Sequence, residues 1–138
     1  MSKQIKINKY YILIFLFGIS FISSLIISLT PTSIICDPGK GCDVVQNSHY
    51  AYTFGIKNSH YGVAIFTFLI GLTWLQIKNP ALIKKRIINL GIITGSLISL
   101  WFIYLQAFVL NAWCKYCLVS DISLILALAL IIIWRDKK

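Results

Sequence analysis

The stretch 113–134, WCKYCLVSDISLILALALIIIW, sets a Cys-x-x-Cys pair, Cys114 and Cys117, at the head of an apolar run from Leu118 to Trp134. Such a run approaches the roughly 20 residues that carry a helix across about 30 Å of hydrocarbon. Three comparable runs precede it, about Tyr10 to Leu29, Tyr61 to Ile77 and Ile87 to Leu110. Backbone groups in lipid must bond within their own segment, so all four are expected to be helices. The composition agrees: 58% of the 138 residues are hydrophobic and 12% charged, too apolar for an ordinary soluble core. The fold expected is all-α, one integral-membrane domain over 1–138. Its four-helix bundle has helices at about 10–29, 61–77, 87–110 and 118–134 and an outer-face lid between the first two.

Lys3, Lys6 and Lys9 precede the first run like the basic region of a signal peptide. The run exceeds the roughly 7 to 15 apolar residues of such a signal, however, and Ser28-Leu29-Thr30-Pro31 lacks a small-x-small cleavage pattern. It is read as a retained anchor. Basic residues mark the cytoplasmic side of short loops. Lys3, Lys6, Lys9, Lys78, Lys84, Lys85, Arg86, Arg135, Lys137 and Lys138 fall on one face, against Lys40, Lys57 and Lys115 on the other. Both termini are therefore expected in the cytoplasm and all four cysteines on the outer face. The net charge of +9 follows from this topology signal and from attraction to anionic lipid, without nucleic acid as a partner.

The loop from Pro31 to His60, about thirty residues, is far longer than a usual helix connection, and such loops are functional or disordered. Val44, Val45, Tyr50, Tyr52, Phe54 and Ile56 argue for a lid lying on the bundle, with a short interfacial helix near Val44 to Asn47. Cys36-Asp37-Pro38-Gly39-Lys40-Gly41-Cys42 suits a compact turn, which a Cys36 to Cys42 disulfide would close without strain. Outside the cytosol disulfides persist. Four cysteines allow three pairings, and the sequence does not choose among them.

A plain staple is the bland reading of the loop pair; the second pair argues against it. Sulfurs at a helix start sit near unpaired N–H groups and the positive end of the helix dipole, which favours reactive thiolate. Zinc is not expected, because Cys36 and Cys42 lack knuckle spacing and no His stands at a ligand-like offset. Cys117 lies three residues further along the helix than Cys114, roughly 4.5 Å deeper. Cys114 is thus expected to meet the loop cysteines, and Cys117 to face a lipid-soluble two-electron acceptor such as a quinone.

Cys36-x5-Cys42, Ser48 six residues on, Gly55-Ile56 and Gly62, and Cys114-Lys115-Tyr116-Cys117 at the start of the last helix together resemble the vitamin K epoxide reductase family. The resemblance covers nearly the whole chain. It implies a bundle around a quinone of the ubiquinone, menaquinone or vitamin K type, with Cys114 and Cys117 as the active pair and Cys36 and Cys42 as the shuttle pair. Ser48 matches the family's loop serine. Asn58 resembles the asparagine that hydrogen-bonds the quinone carbonyl in animal members, a position at which bacterial relatives often differ. The chain ends soon after the fourth helix, which implies a separate secreted or periplasmic thioredoxin-fold (DsbA-like) partner rather than a fused domain. A bacterial cytoplasmic membrane is the expected location. In the mechanism implied, the partner's thiolate attacks Cys36, Cys42 then attacks Cys114, and Cys117 passes electrons to the quinone.

Asp121, four residues after Cys117 on the same helical face, departs from the small or neutral residue common in the family. An ionisable group in a membrane helix is a functional candidate. Two readings stay open for it: a proton relay to the reduced quinone, or a residue of the wet first turn. The small face Gly91, Gly95 and Ser99 suits packing inside the bundle, and Gln106 suits either the quinone pocket or a helix-helix bond. His49 and His60 are read as loop residues. Trp74, Trp113 and Trp134 fit interfacial belts, and Trp101 is read as packed. A transporter would need more polar residues along the helices. A non-enzymatic module with structural disulfides is the alternative function. The other four-helix quinone-linked oxidase type carries its two cysteine pairs in the reverse order.

Overall fold

All four apolar runs form helices, each beginning before the residues that first mark it. In the computed structural model, which describes residues 2–39 and 41–134 and the side chains among them except those of 2–7 and 32, these are α1 (Ser2–Leu29), α4 (Asn58–Lys78), α5 (Leu82–Tyr104) and α6 (Lys115–Ile133). Helices need not stop where hydrocarbon does. Lys84, Lys85 and Arg86 are good helix formers and carry α5 back to Leu82. All four are long and apolar enough to cross a membrane, and the protein is an integral membrane protein. Of the basic residues counted for orientation, Lys40, Arg135, Lys137 and Lys138 lie outside the described residues.

α1 lies between α4 and α6, while α5 packs on α6 and, less extensively, on α4. Leu13, Phe17, Phe66, Leu69, Ile88, Ile92, Leu124 and Ala127 form the buried core. Around it the usual polarity is relaxed. Phe15, Leu90, Leu97 and Ile132 face outward, whereas Ser20, Thr73, Ser96 and Ser99 are buried. A lipid exterior permits this, because buried hydroxyls can bond helix carbonyls. Thr73 donates to Leu69 (2.6 Å), and Ser96 donates across to Leu124 (3.1 Å). Gly91 and Gly95 lie against Leu69 and Leu124, so their small face serves packing inside the bundle. Trp101 differs from expectation: it is exposed and stacks on Tyr104 with centroids 5.7 Å apart, since the lipid solvates an indole that water would not.

At the end away from the cysteines, the Lys9 ammonium is buried and donates to the Trp134 carbonyl (3.1 Å), joining α1 to the exit of α6. At the other end, the lid comprises α2 (Thr32–Ile35), α3 (Gly41–Gln46), a 3₁₀ turn at His49–Ala51, and a hairpin of β1 (Tyr52–Thr53) and β2 (Ile56–Lys57). The interfacial helix expected near Val44 to Asn47 is α3, starting three residues earlier. In the hairpin Tyr52 pairs with Lys57 and Thr53 with Ile56. Its central residues Phe54 and Gly55 both have positive φ, 54° and 79°, as a tight primed turn requires. His60 lies in the first turn of α4, because that helix begins at Asn58 rather than Tyr61.

Candidate functional site: two cysteine pairs above a bundle cavity

Cys114 is the N-cap of α6, with extended backbone (φ −100°, ψ 114°), and its sulfur accepts from the Cys117 N–H at 3.4 Å. The helix start thus supplies the N–H that the spacing predicts. Just before it, Leu105–Val109 widens α5 into a π-helical turn, closed by Leu110 N–H on the Leu105 carbonyl (2.8 Å). Widened turns of this kind often mark functional sites. Here it turns Gln106 inward. The Gln106 side-chain carbonyl accepts from the Cys114 N–H (2.9 Å), and its backbone carbonyl accepts from Ala112 (3.0 Å). Gln106 therefore fixes the backbone that carries the CxxC pair.

The lid delivers the other pair. Cys36 and Cys42 are joined in a disulfide, with Cα atoms 5.3 Å apart, while Cys114 and Cys117 are free. This selects one of the three pairings. Cys42 is the sulfur that meets the inner pair, 3.8 Å from Cys114 Sγ. The approach depends on Gly41. A Cβ there would fall on the Trp113 backbone, closer to its carbonyl oxygen than non-bonded atoms come and 2.9 Å from its nitrogen. Cys36 is buried and Cys42 half-buried, so attack at Cys36 from outside needs the turn to open.

Gln46, unremarked in the sequence, is the lid side chain that engages both sulfurs of the free pair. Buried in α3, its side-chain amide donates to Cys117 Sγ at 3.0 Å and to Cys114 Sγ at 3.6 Å. Its one available signal is an amide placed four residues after Cys42. The Cys114 thiol is held down at about 6: the hydrogen bond from the Cys117 thiol lowers it most, burial opposes, and the Cys117 N–H and Gln46 also lower it.

Beneath the lid, the four bundle helices and the lid line a half-open cavity of about 440 Å³. Apolar side chains such as Ile65, Phe66, Leu69 and Phe102 dominate its walls, with Cys117 at the cysteine end. Cys114 does not line it, so the helix separates the two sulfurs as their spacing predicts. Asp121 lies on the same wall, buried, with Oδ2 lacking a hydrogen-bond partner. It is therefore not a residue of a wet first turn. Ser48 and Asn58 also line the cavity, but both hold the lid together. Ser48 donates to the Val45 carbonyl (2.7 Å). The Asn58 side-chain oxygen accepts from Thr53 (2.7 Å), and its NH₂ donates to the Tyr50 carbonyl (2.8 Å), leaving one N–H.

No curated protein and no solved structure matches the chain. The model of one family does match, over residues 11–132, nearly the whole length that the four helices and their cysteine pairs occupy. The chain belongs to the vitamin K epoxide reductase family.

Proposed function

We propose that this membrane oxidoreductase takes electrons from a thioredoxin-fold dithiol partner and passes them through Cys36 and Cys42, then Cys114 and Cys117, to a quinone. The net result is disulfide formation in the partner. The observation that carries the reading is the placement of sulfurs: a disulfide in the lid lies against a free pair whose deeper member alone lines the cavity. A module merely stapled by disulfides gives no role to two free cysteines so placed. We further place the cysteine end outside and both termini in the cytoplasm of a bacterial membrane.

The cavity suits a quinone. Its walls are largely apolar, its polar groups converge at the cysteine end, and Asp121 Oδ2 is buried without a partner. That combination fits a flat ring with carbonyl oxygens and an apolar substituent. A quinone held there supplies the two-electron acceptor. Cys117 Sγ is the group placed to deliver electrons, and Asp121 Oδ2 to carry a proton. Ser48 and Asn58 shape the wall, and the remaining Asn58 N–H is the donor available to a carbonyl. Outside, a partner thiolate attacks Cys36 once the turn opens and frees Cys42 as thiolate. The partner's second thiol then attacks the mixed disulfide, so that the partner leaves oxidised and Cys36 is released as thiolate. Cys42 then attacks Cys114, at the 3.8 Å separation already present.

The test supplies purified protein with a reduced thioredoxin-fold dithiol protein and a soluble quinone, and follows quinone absorbance. Wild type is expected to turn over and Cys117→Ala to fail. Equal rates in the two, or no turnover in wild type, would defeat the reading.

A further inference from the structure

We propose that Gln46 is a catalytic residue of the exchange between the two cysteine pairs, donating its side-chain N–H groups to the thiolates that Cys117 and then Cys114 become. The inference rests on the relay between the pairs and adds what makes the inner sulfurs good leaving groups.

The geometry begins with α3. Cys42 and Gln46 stand four residues apart on this helical turn, a spacing that puts both on one face. That face meets the start of α6 in register. Cys42 lies 3.8 Å from Cys114, and the Gln46 amide 3.0 Å from Cys117. The attacking sulfur and the donor to the departing sulfur thus ride on the same turn of backbone. Docking that turn brings both into place together. A side-chain amide buried as deeply as Gln46, 5% exposed, is costly without hydrogen bonds, and here its N–H groups are spent on sulfur.

In the exchange, the Cys42 thiolate attacks Cys114 Sγ of an oxidised inner pair. The Cys42–Cys114 bond forms, the Cys114–Cys117 bond breaks, and its electron pair leaves on Cys117. Gln46 donates to this new anion. The Cys36 thiolate next attacks Cys42, reforming the lid disulfide and expelling Cys114 as thiolate, the second sulfur within reach of the same amide. Two electrons have moved inward, and the protons of the outer pair are matched by those of the inner. The structure, with the lid pair joined and the inner pair free, is the product side of this transfer. Exchange is faster when the leaving thiol is a better anion, and a hydrogen bond to an ionised group counts for more in a site shielded from water. Gln106 engages the pair through the backbone instead, its side-chain carbonyl accepting from the Cys114 N–H.

The exchange can be measured without quinone or partner. In a Cys36→Ala background with the inner pair oxidised, Cys42 attack halts at the Cys42–Cys114 disulfide, with Cys117 free. Acid quenching, alkylation and mass analysis then give its rate and final fraction. Gln46→Leu, added to this background, is expected to slow formation roughly ten- to a hundredfold, the worth of a hydrogen bond to a charged group. Gln46→Glu keeps the shape but donates only while protonated. Its deficit relative to the Cys36→Ala parent should therefore grow as pH rises. The other titratable groups facing the site, Cys42 on α3 and Cys114, Cys117 and Asp121 on α6, are common to all three proteins. Parent-like rates in both Gln46 variants overturn the inference. So does an equal, pH-independent deficit in both, which marks a packing role, or the absence of any Cys42–Cys114 disulfide in the parent. If the parent and variants behave as expected but wild type reduces no quinone, the acceptor is wrong and the role of Gln46 stands.

Discussion

Cys114 gathers four lowering influences at one sulfur: the Cys117 thiol, the Cys117 and Tyr116 N–H groups at the head of α6, and the Gln46 amide. Together they outweigh burial and hold its thiol at about 6, so at neutral pH it is largely thiolate. The expected signature is an ultraviolet thiolate band, present in wild type and missing in Cys114→Ser, that disappears as pH falls through about 6. Cys117→Ala removes the largest lowering influence, so the midpoint should move up; an unmoved midpoint would refute that attribution. Asp121 gives a second test at this scale. Asp121→Asn keeps the volume and removes the proton, and a general acid or base commonly contributes about 10²-fold or more. Quinone turnover should fall by about that factor, and unchanged turnover would dismiss the proton role. Both cysteine pairs and Asp121 were legible as single residues in the sequence, because sulfur and charge are rare in so apolar a chain. Gln46 was not. Its role comes from a contact 71 positions away, and amide side chains carry no spacing rule that points to sulfur.

Among the elements, α3 decides whether the pairs communicate, and Gly41 decides where α3 sits. Gly41→Ala places a methyl against the Trp113 backbone, which cannot swing aside as a side chain would. The Cys42 to Cys114 distance should lengthen, and a displacement near 1 Å can cost about 10²-fold in a positioned reaction. Formation of the Cys42–Cys114 disulfide in the Cys36→Ala background is expected to slow at least about tenfold, with the melting temperature nearly unchanged. A normal rate would mean that the lid adjusts freely. The membrane helices were readable from hydropathy, but their ends were not: Asn58 to His60, Leu82 to Arg86 and Lys115 to Cys117 are helical though they lie outside the apolar runs. Hydropathy reports where lipid is, and backbone hydrogen bonding continues beyond it. The hairpin was hidden for another reason. Phe54 occupies a positive φ that bulky side chains rarely adopt, so no Asn-Gly signal announced the turn.

For the whole molecule, the proposed orientation follows from Lys78, Lys84, Lys85 and Arg86 lying between α4 and α5 or beside that turn, at the opposite end from the cysteines. A membrane-impermeant thiol reagent applied to intact cells should label Lys57→Cys and spare Arg86→Cys until the membrane is opened. The reverse pattern would invert the topology and put the relay in the wrong compartment.

The joined lid pair and free inner pair also have a consequence for counting. A molecule with its one disulfide inside either pair exists as two redox isomers, identical in formula, that interconvert through the Cys42–Cys114 disulfide. Their interconversion is unimolecular, so the ratio at equilibrium depends on neither protein concentration nor the surrounding redox buffer. Each tenfold in that ratio corresponds to about 30 mV between the pairs. The potential step inside the protein can therefore be read from one isolated sample as an isomer ratio.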